Sequence, residues 1–219
     1  MPGDPLKSSK RVLEPYDRIS EVLFGLIMVL TFTGSLSIAG GREAVRTMLL
    51  GALGCNLAWG VIDGVLYLMG CLAEKSKGLL ALRAVRKASD PQKAQQLVAK
   101  ALPPLLASIL QPVELETMRQ RLQALPEPSE RARLGSGEWF GALAVFLLVF
   151  LSTFPVVIPF IFMKNALVAL RVSNAVAIAM LFLTGYAFGR ITGRHPWVVG
   201  VGMVVVGGVL VGLTMMLGG

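Results

Sequence analysis

Five runs of about 18 to 26 residues, each nearly free of charge, leave this 219-residue chain few ways to fold. They fall near residues 19–39, 48–73, 139–163, 166–189 and 196–217. About 20 apolar residues in a helix cross the hydrocarbon core of a bilayer, where every backbone donor and acceptor must be satisfied inside the segment. The expected fold is all-α, a polytopic membrane protein with five transmembrane helices. The first 18 residues mix Lys7, Lys10, Arg11 and Arg18 with Asp4, Glu14 and Asp17, and hold no short apolar core with a small-residue cleavage site. The expectation is therefore that they are not a secretory signal and that the first span stays in the mature protein.

The formal net charge of +8 raises nucleic acid as a partner, but the positions of the charges give a better reading. With the N-terminus inside, the inner loops collect 17 of the 21 Lys and Arg: four before span one, eleven between spans two and three, and Arg190 and Arg194 between spans four and five. Arg42, Arg46, Lys164 and Arg171 remain outside. This is the positive-inside pattern. It predicts N-inside, C-outside; the expected location is the inner membrane of a bacterial cell. No aromatic residues interleave with the basic ones, so no nucleic-acid partner is expected. Cys55 and Cys71 lie on one predicted helix, roughly 24 Å apart at 1.5 Å per residue, and cannot pair with each other.

Domain boundaries follow from the same pattern. Residues 1–73 carry the N-terminal segment and spans one and two, 74–138 form a small helical cytosolic domain, and 139–219 carry spans three to five. In the middle portion Leu79, Leu80, Leu82 and Val85 are spaced to line one side of a helix continuing out of span two. Asp90-Pro91 reads as an N-cap followed by proline at the first helical position. Ala94, Leu97, Val98 and Leu102 recur at helical spacing, as do Leu115, Met118, Leu122 and Leu125. Three short amphipathic helices fit, closed by the loop 126–129. Such a domain is too small for a large core and is expected to pack on the membrane part or on a second copy.

Asp63 is the acid in the interior of the second apolar run. An ionisable group at bilayer depth costs roughly 2.5 to 3.5 kcal/mol on insertion scales, so it faces protein or a water-filled path rather than lipid. Helical spacing places Asn56, Trp59, Gly60 and Tyr67 on its face. In the first span Glu21, Met28 and Ser35 share a stripe with Thr31 beside them. Carboxylate, thioether and hydroxyl together suit a divalent transition ion. The plainer alternatives are packing for Met28 and Ser35, a solvated boundary position for Glu21, and an internal hydrogen bond to Asn174 or Arg171 for Asp63. Pro155 and Pro159, preceded by Ser152 and Thr153, break the third span, either freeing carbonyls to line a cavity or serving packing. Arg171 is read as snorkelling to the outer interface, and His195 carries no assigned chemistry. Gly60 and Gly64, Gly185 and Gly189, and Gly208 and Gly212 are each spaced for close helix contact, with a neighbour across Gly60 and Gly64 in the same chain or in a second subunit.

The order of parts, and the stretches Glu21-Val-Leu-Phe-Gly-Leu26, Ala84 to Leu102 around Asp-Pro-Gln-Lys-Ala, and Phe154-Pro-Val-Val-Ile-Pro159, resemble the vacuolar iron transporter family across nearly the full chain. The resemblance implies five membrane helices, a helical cytosolic domain between the second and third, a homodimer, and exchange of iron(II) or a similar cation such as manganese(II) for protons. It also implies metal loading by clustered glutamates helped by methionine, here Glu114, Glu116, Met118, Glu127 and Glu130. The family's first-helix Asp-Gly pair is absent: Met28 stands three residues after Gly25, and Asp63-Gly64 sits in the second helix instead.

The metal candidates are thus Asp63, Glu21, Met28, Asn56, Glu114, Glu116 and Met118. The leading expectation is a divalent-cation transporter working with protons and lipid, without a resident cofactor. The alternative is a non-transporting scaffold or regulator that keeps the fold. Glu114, Glu116, Glu127 and Glu130 stand among eleven basic residues in the 74–138 domain, a poor cation trap, which favours a structural role for them. No nucleophile–base pair, metal-ligand cluster or phosphate loop suggests an enzyme.

Overall fold

The computed structural model describes residues 13, 15–34, 41–127 and 131–216. Ser35, Glu130 and the loop end at Pro128 and Ser129 lie outside them. Among the described residues the secondary structure is helical, with no strand: α1 (Pro15–Gly34), α2 (Gly41–Lys87), α3 (Pro91–Ala101), α4 (Pro104–Ile109), α5 (Pro112–Ala124), α6 (Ser136–Ser152), α7 (Phe154–Phe162), α8 (Ala166–Ile191) and α9 (Pro196–Met216). As far as they are described, the predicted apolar runs fall on helices, the third on the pair α6 and α7; residues 35–39 of the first and 217 of the fifth lie outside the described residues. Among the described residues three stretches are long and apolar enough to cross a membrane: Glu43–Lys87, Ser136–Phe162 and Ala166–Ile191. Pro196–Leu210 is a shorter apolar helix, and α1 carries Asp17, Arg18 and Glu21 in its first two turns.

The helices cluster into two compact units, one of residues 1–67 and 137–219, the other of 68–136. In the first, Leu26, Val29 and Leu30 of α1 pack with Ala52 of α2, Val156 and Val157 of α7, and Ala177 and Leu181 of α8. Met48, Phe160 and Ala169 form a second cluster, bordered by Phe32 and Leu49. Small residues set the closest approaches. Gly185 faces the backbone of Val199 and Gly200, and Gly189 faces Pro196, so α8 and α9 touch through backbone. Gly60 and Gly64 lie against Phe146 and Ala142 of α6. Their neighbour is therefore in the same chain. A Cβ at Gly208 would meet nothing within 4 Å, and that pair makes no such approach.

Proline chemistry sets the α6–α7 break. Pro155 falls in the first turn of α7, where its missing N–H is not needed, and Pro159 sits inside that helix. The two prolines leave the carbonyls of Leu151 and Pro155 without their usual i+4 donors. The chain turns at Thr153, whose carbonyl accepts from Val156 and Val157 N–H at 3.2 and 3.1 Å.

In the second unit Val85, Ala94 and Val98 are buried, with Ala88, Leu97, Leu102, Leu115 and Leu122 packed around them. Asp90 caps α3 by accepting from Gln92 N–H at 3.0 Å, with Pro91 following. Leu80 and Met118, placed by spacing on apolar faces, are exposed instead. One helix was not expected: α4 turns between Pro103-Pro104 and Pro112, and its six residues are too few for periodicity to register. Arg86 donates to the carbonyls of Leu122, Leu125 and Pro126, a cation set on the C-terminal end of α5, where the helix dipole favours it.

Candidate cation path

Asn56 is the polar centre of the first unit. Its side chain is fully buried, and its Nδ2 donates to the Gly25 carbonyl of α1 at 3.2 Å and to Thr153 Oγ1 at the α6–α7 break. Gly25 permits this meeting because a Cβ there would collide with Ser152 Oγ and stand 2.5 Å from the Val149 carbonyl oxygen. α1, α2 and the broken α6–α7 run thus converge on one amide. Ser173, also fully buried, donates to the Val156 carbonyl at 2.7 Å and ties α8 to the same break.

Among the described residues two oxygens in this region are buried and lack a hydrogen-bond partner: Asn56 Oδ1 and Asp63 Oδ2. They sit seven residues apart on α2, two turns along one face. A buried acceptor without a donor is rare and costs roughly 1 to 3 kcal/mol, more when charged. Among the described residues neither Asn174 nor Arg171 bonds to Asp63, and Arg171 is exposed. Glu21 of α1 is half-buried and close enough to Asp63 for the two carboxylates to act on each other, with Asp17 adding its charge. Met28 is half-buried on the same helix, whereas Thr31 turns its hydroxyl back to the Ile27 carbonyl at 2.9 Å. Tyr67 packs its ring against Gly141, where a Cβ would collide with it. The geometry brings Glu21 to Asp63, and Asn56 to Gly25 and Thr153.

Thr153 is the residue that spacing did not single out as a partner. It precedes Pro155, and a hydroxyl beside a proline-broken helix is the only local signal it gives.

The acids of the second unit are engaged elsewhere. Glu114 closes a capping box, accepting from Gln111 N–H at 2.8 Å, which satisfies one of the open donors of α5. Glu116 pairs with Arg119 at 2.5 Å and accepts from Gln95 and Gln120. The Arg119 guanidinium, with those amides, holds its carboxyl down at about 2. Glu127 is exposed. Among the described residues no group of three or more His, Cys, Asp or Glu gathers closely enough to hold a metal ion.

A carboxyl whose folded value lies below its ordinary 4.5 supports the fold above that pH and loses its contribution as pH falls toward 2. Glu116→Gln should therefore flatten the acid limb of stability. Thermal midpoints followed by circular dichroism between about pH 5 and 2.5 should fall less steeply in the variant; equal slopes would remove the pair from the account.

The architecture is that of a helical integral membrane protein with buried polar groups, and two half-buried carboxylates, among its membrane helices. The chain belongs to the VIT family, the vacuolar iron transporters: the model of that family matches residues 73–219. Membership places it among membrane metal-ion transporters, which are not enzymes. No curated protein matches the chain.

Proposed function

We propose that this chain moves a divalent cation, iron(II) or manganese(II), across a membrane in exchange for protons, with Asp63 as the coupling acid. The observation that carries the reading is the pair of buried, unpartnered acceptors on α2, Asn56 Oδ1 and Asp63 Oδ2, with Glu21 beside the acid. Oxygen ligands with the Met28 thioether suit a first-row divalent ion. One acid that holds either a proton or a cation is the minimum device for exchange. The break between α6 and α7 at Thr153 stands against Asn56, and a bilayer tolerates a proline-broken helix where neighbouring protein satisfies the freed groups.

The reading includes five spans, the N-terminus and the 74–138 domain on the cytoplasmic side of a bacterial inner membrane, the C-terminus outside, and a homodimer. The charge distribution supports the orientation, and the family likeness supports the dimer. The second reading, a scaffold that has given up transport, is favoured by one feature: Glu114 and Glu116 are occupied in a helix cap and an ion pair.

Purified protein in liposomes decides between them. With the liposome interior more acidic than the medium, iron(II) or manganese(II) should enter as protons leave, and the gradient should dissipate in step. Uptake no faster than in protein-free liposomes would leave the scaffold.

A further inference from the structure

A cleft of about 700 Å³ lies where the first turns of α2 meet the turn from α7 into α8. Leu49, Phe160 and Phe162 form part of its apolar wall, and Glu43, Arg46 and Lys164 carry its charge. Among the described residues neither Arg46 nor Lys164 has an ion pair or hydrogen bond. The first amides of α8 are already taken, since Asn165 Oδ1 accepts from Leu167 and Val168 N–H at 3.0 and 3.3 Å. The positive field of the cleft therefore comes from two side chains and exceeds its single carboxylate by one charge. Such a rim repels a metal cation and attracts an anion.

The position narrows the anion. Arg46 stands just before the apolar run 48–73, and Lys164 stands in the short polar turn between the runs 139–163 and 166–189. Both cations thus sit at the edge of the hydrocarbon region while the apolar wall enters it. Phe160 is buried against Met48 and Ala169, but Phe162 is open along its side. A ligand that satisfies both parts carries one phosphate-type negative charge and long apolar chains. The planar Arg fork suits two phosphate oxygens, and the Lys ammonium adds a point charge.

We propose that this cleft holds one anionic phospholipid, its phosphate between Arg46 and Lys164 and its acyl chains along the apolar wall. The site is separate from the cation path and does not depend on the transport reading.

The test uses the full-length protein, delipidated in detergent and titrated with phosphatidylglycerol or phosphatidylcholine of matched chains, with bound lipid counted by native mass spectrometry. Wild type should take up one phosphatidylglycerol per chain at saturation and phosphatidylcholine at least about tenfold more weakly. At about fivefold per basic residue near a lipid phosphate, R46Q/K164Q should weaken phosphatidylglycerol about 25-fold. R46K/K164R, which keeps the charge, should stay within about threefold of wild type because the point-charge attraction survives the exchange. Equal affinity for the two lipids, or no loss in R46Q/K164Q, overturns the proposal. So does displacement of the lipid by millimolar inorganic phosphate, which marks a phosphate site, or uptake of neither lipid, which marks a face covered by a second copy. If the glutamine variant does not fold, the comparison of lipids on wild type and R46K/K164R decides.

Discussion

Asp63→Asn should abolish proton-coupled cation uptake while leaving the protein folded. Asparagine keeps the shape of the side chain and removes the charge that titrates. With the acid gone, uptake at a fixed cation concentration should fall by about tenfold or more, the effect of losing at least about 1.4 kcal/mol of charged-ligand binding. Residual uptake should no longer respond to the pH gradient. Asp63→Leu separates this role from a merely structural one. An acid that anchored Arg171 or Asn174 would leave an unpaired group behind on removal, but Asp63 makes no such bond and one of its oxygens is already unsatisfied. Leucine should therefore melt no lower than wild type, because removing an unpaired buried polar group is neutral or stabilising. Wild-type, pH-coupled uptake by the Asn variant would take Asp63 off the path, and with it the main reason for reading this chain as an exchanger.

Gly25→Ala should be among the most damaging small substitutions in the first unit. The added methyl collides with Ser152 Oγ, which can turn away, and with the Val149 carbonyl, which is helix backbone and cannot. Overpacking of this kind costs roughly 1 to 3 kcal/mol. It also pushes α1 from the amide of Asn56, whose hydrogen bond to the Gly25 carbonyl spans the same contact. Gly54→Ala is the matched control on α2, where a Cβ meets nothing within 4 Å, and it should melt at or above the wild-type temperature. Adding Ser152→Ala to Gly25→Ala should recover only part of the loss, since the carbonyl contact remains. Equal melting of Gly25→Ala and Gly54→Ala would mean that α1 and α6 do not pack as described.

The sequence was most legible where a local rule fixes the outcome. Apolar runs of membrane length became helices, Asp90-Pro91 started one, and Pro155 marked where α6 gives way to α7. Asp63 announced itself by the cost of a charge in lipid. What escaped depends on contacts far apart in the chain. The bond from Asn56 to Thr153 joins residues 97 positions apart and follows from helix register, which no window of sequence contains. Glu114 was read as a metal candidate because glutamate in a family with metal-loading acids invites it. Pro112 just before it and Gln111 three residues back were the local signs of a helix start, and those signs carry the role the structure gives it. Glu116 likewise had Arg119 one turn away, close enough on a helix for an ion pair to compete with any cation.

The tight join of α8 to α9 bears on how the chain is built into a bilayer. Gly193 takes a left-handed conformation, with φ +68°, and turns the chain within a few residues. Gly185 and Gly189 then bring the two helices into backbone contact near that turn. Two apolar helices that close on each other over so short a turn can leave the translocation machinery as a single hairpin, with Arg190 and Arg194 held back at its closed end. The α8–α9 hairpin is therefore expected to enter the membrane already paired and to close against the earlier helices as one unit.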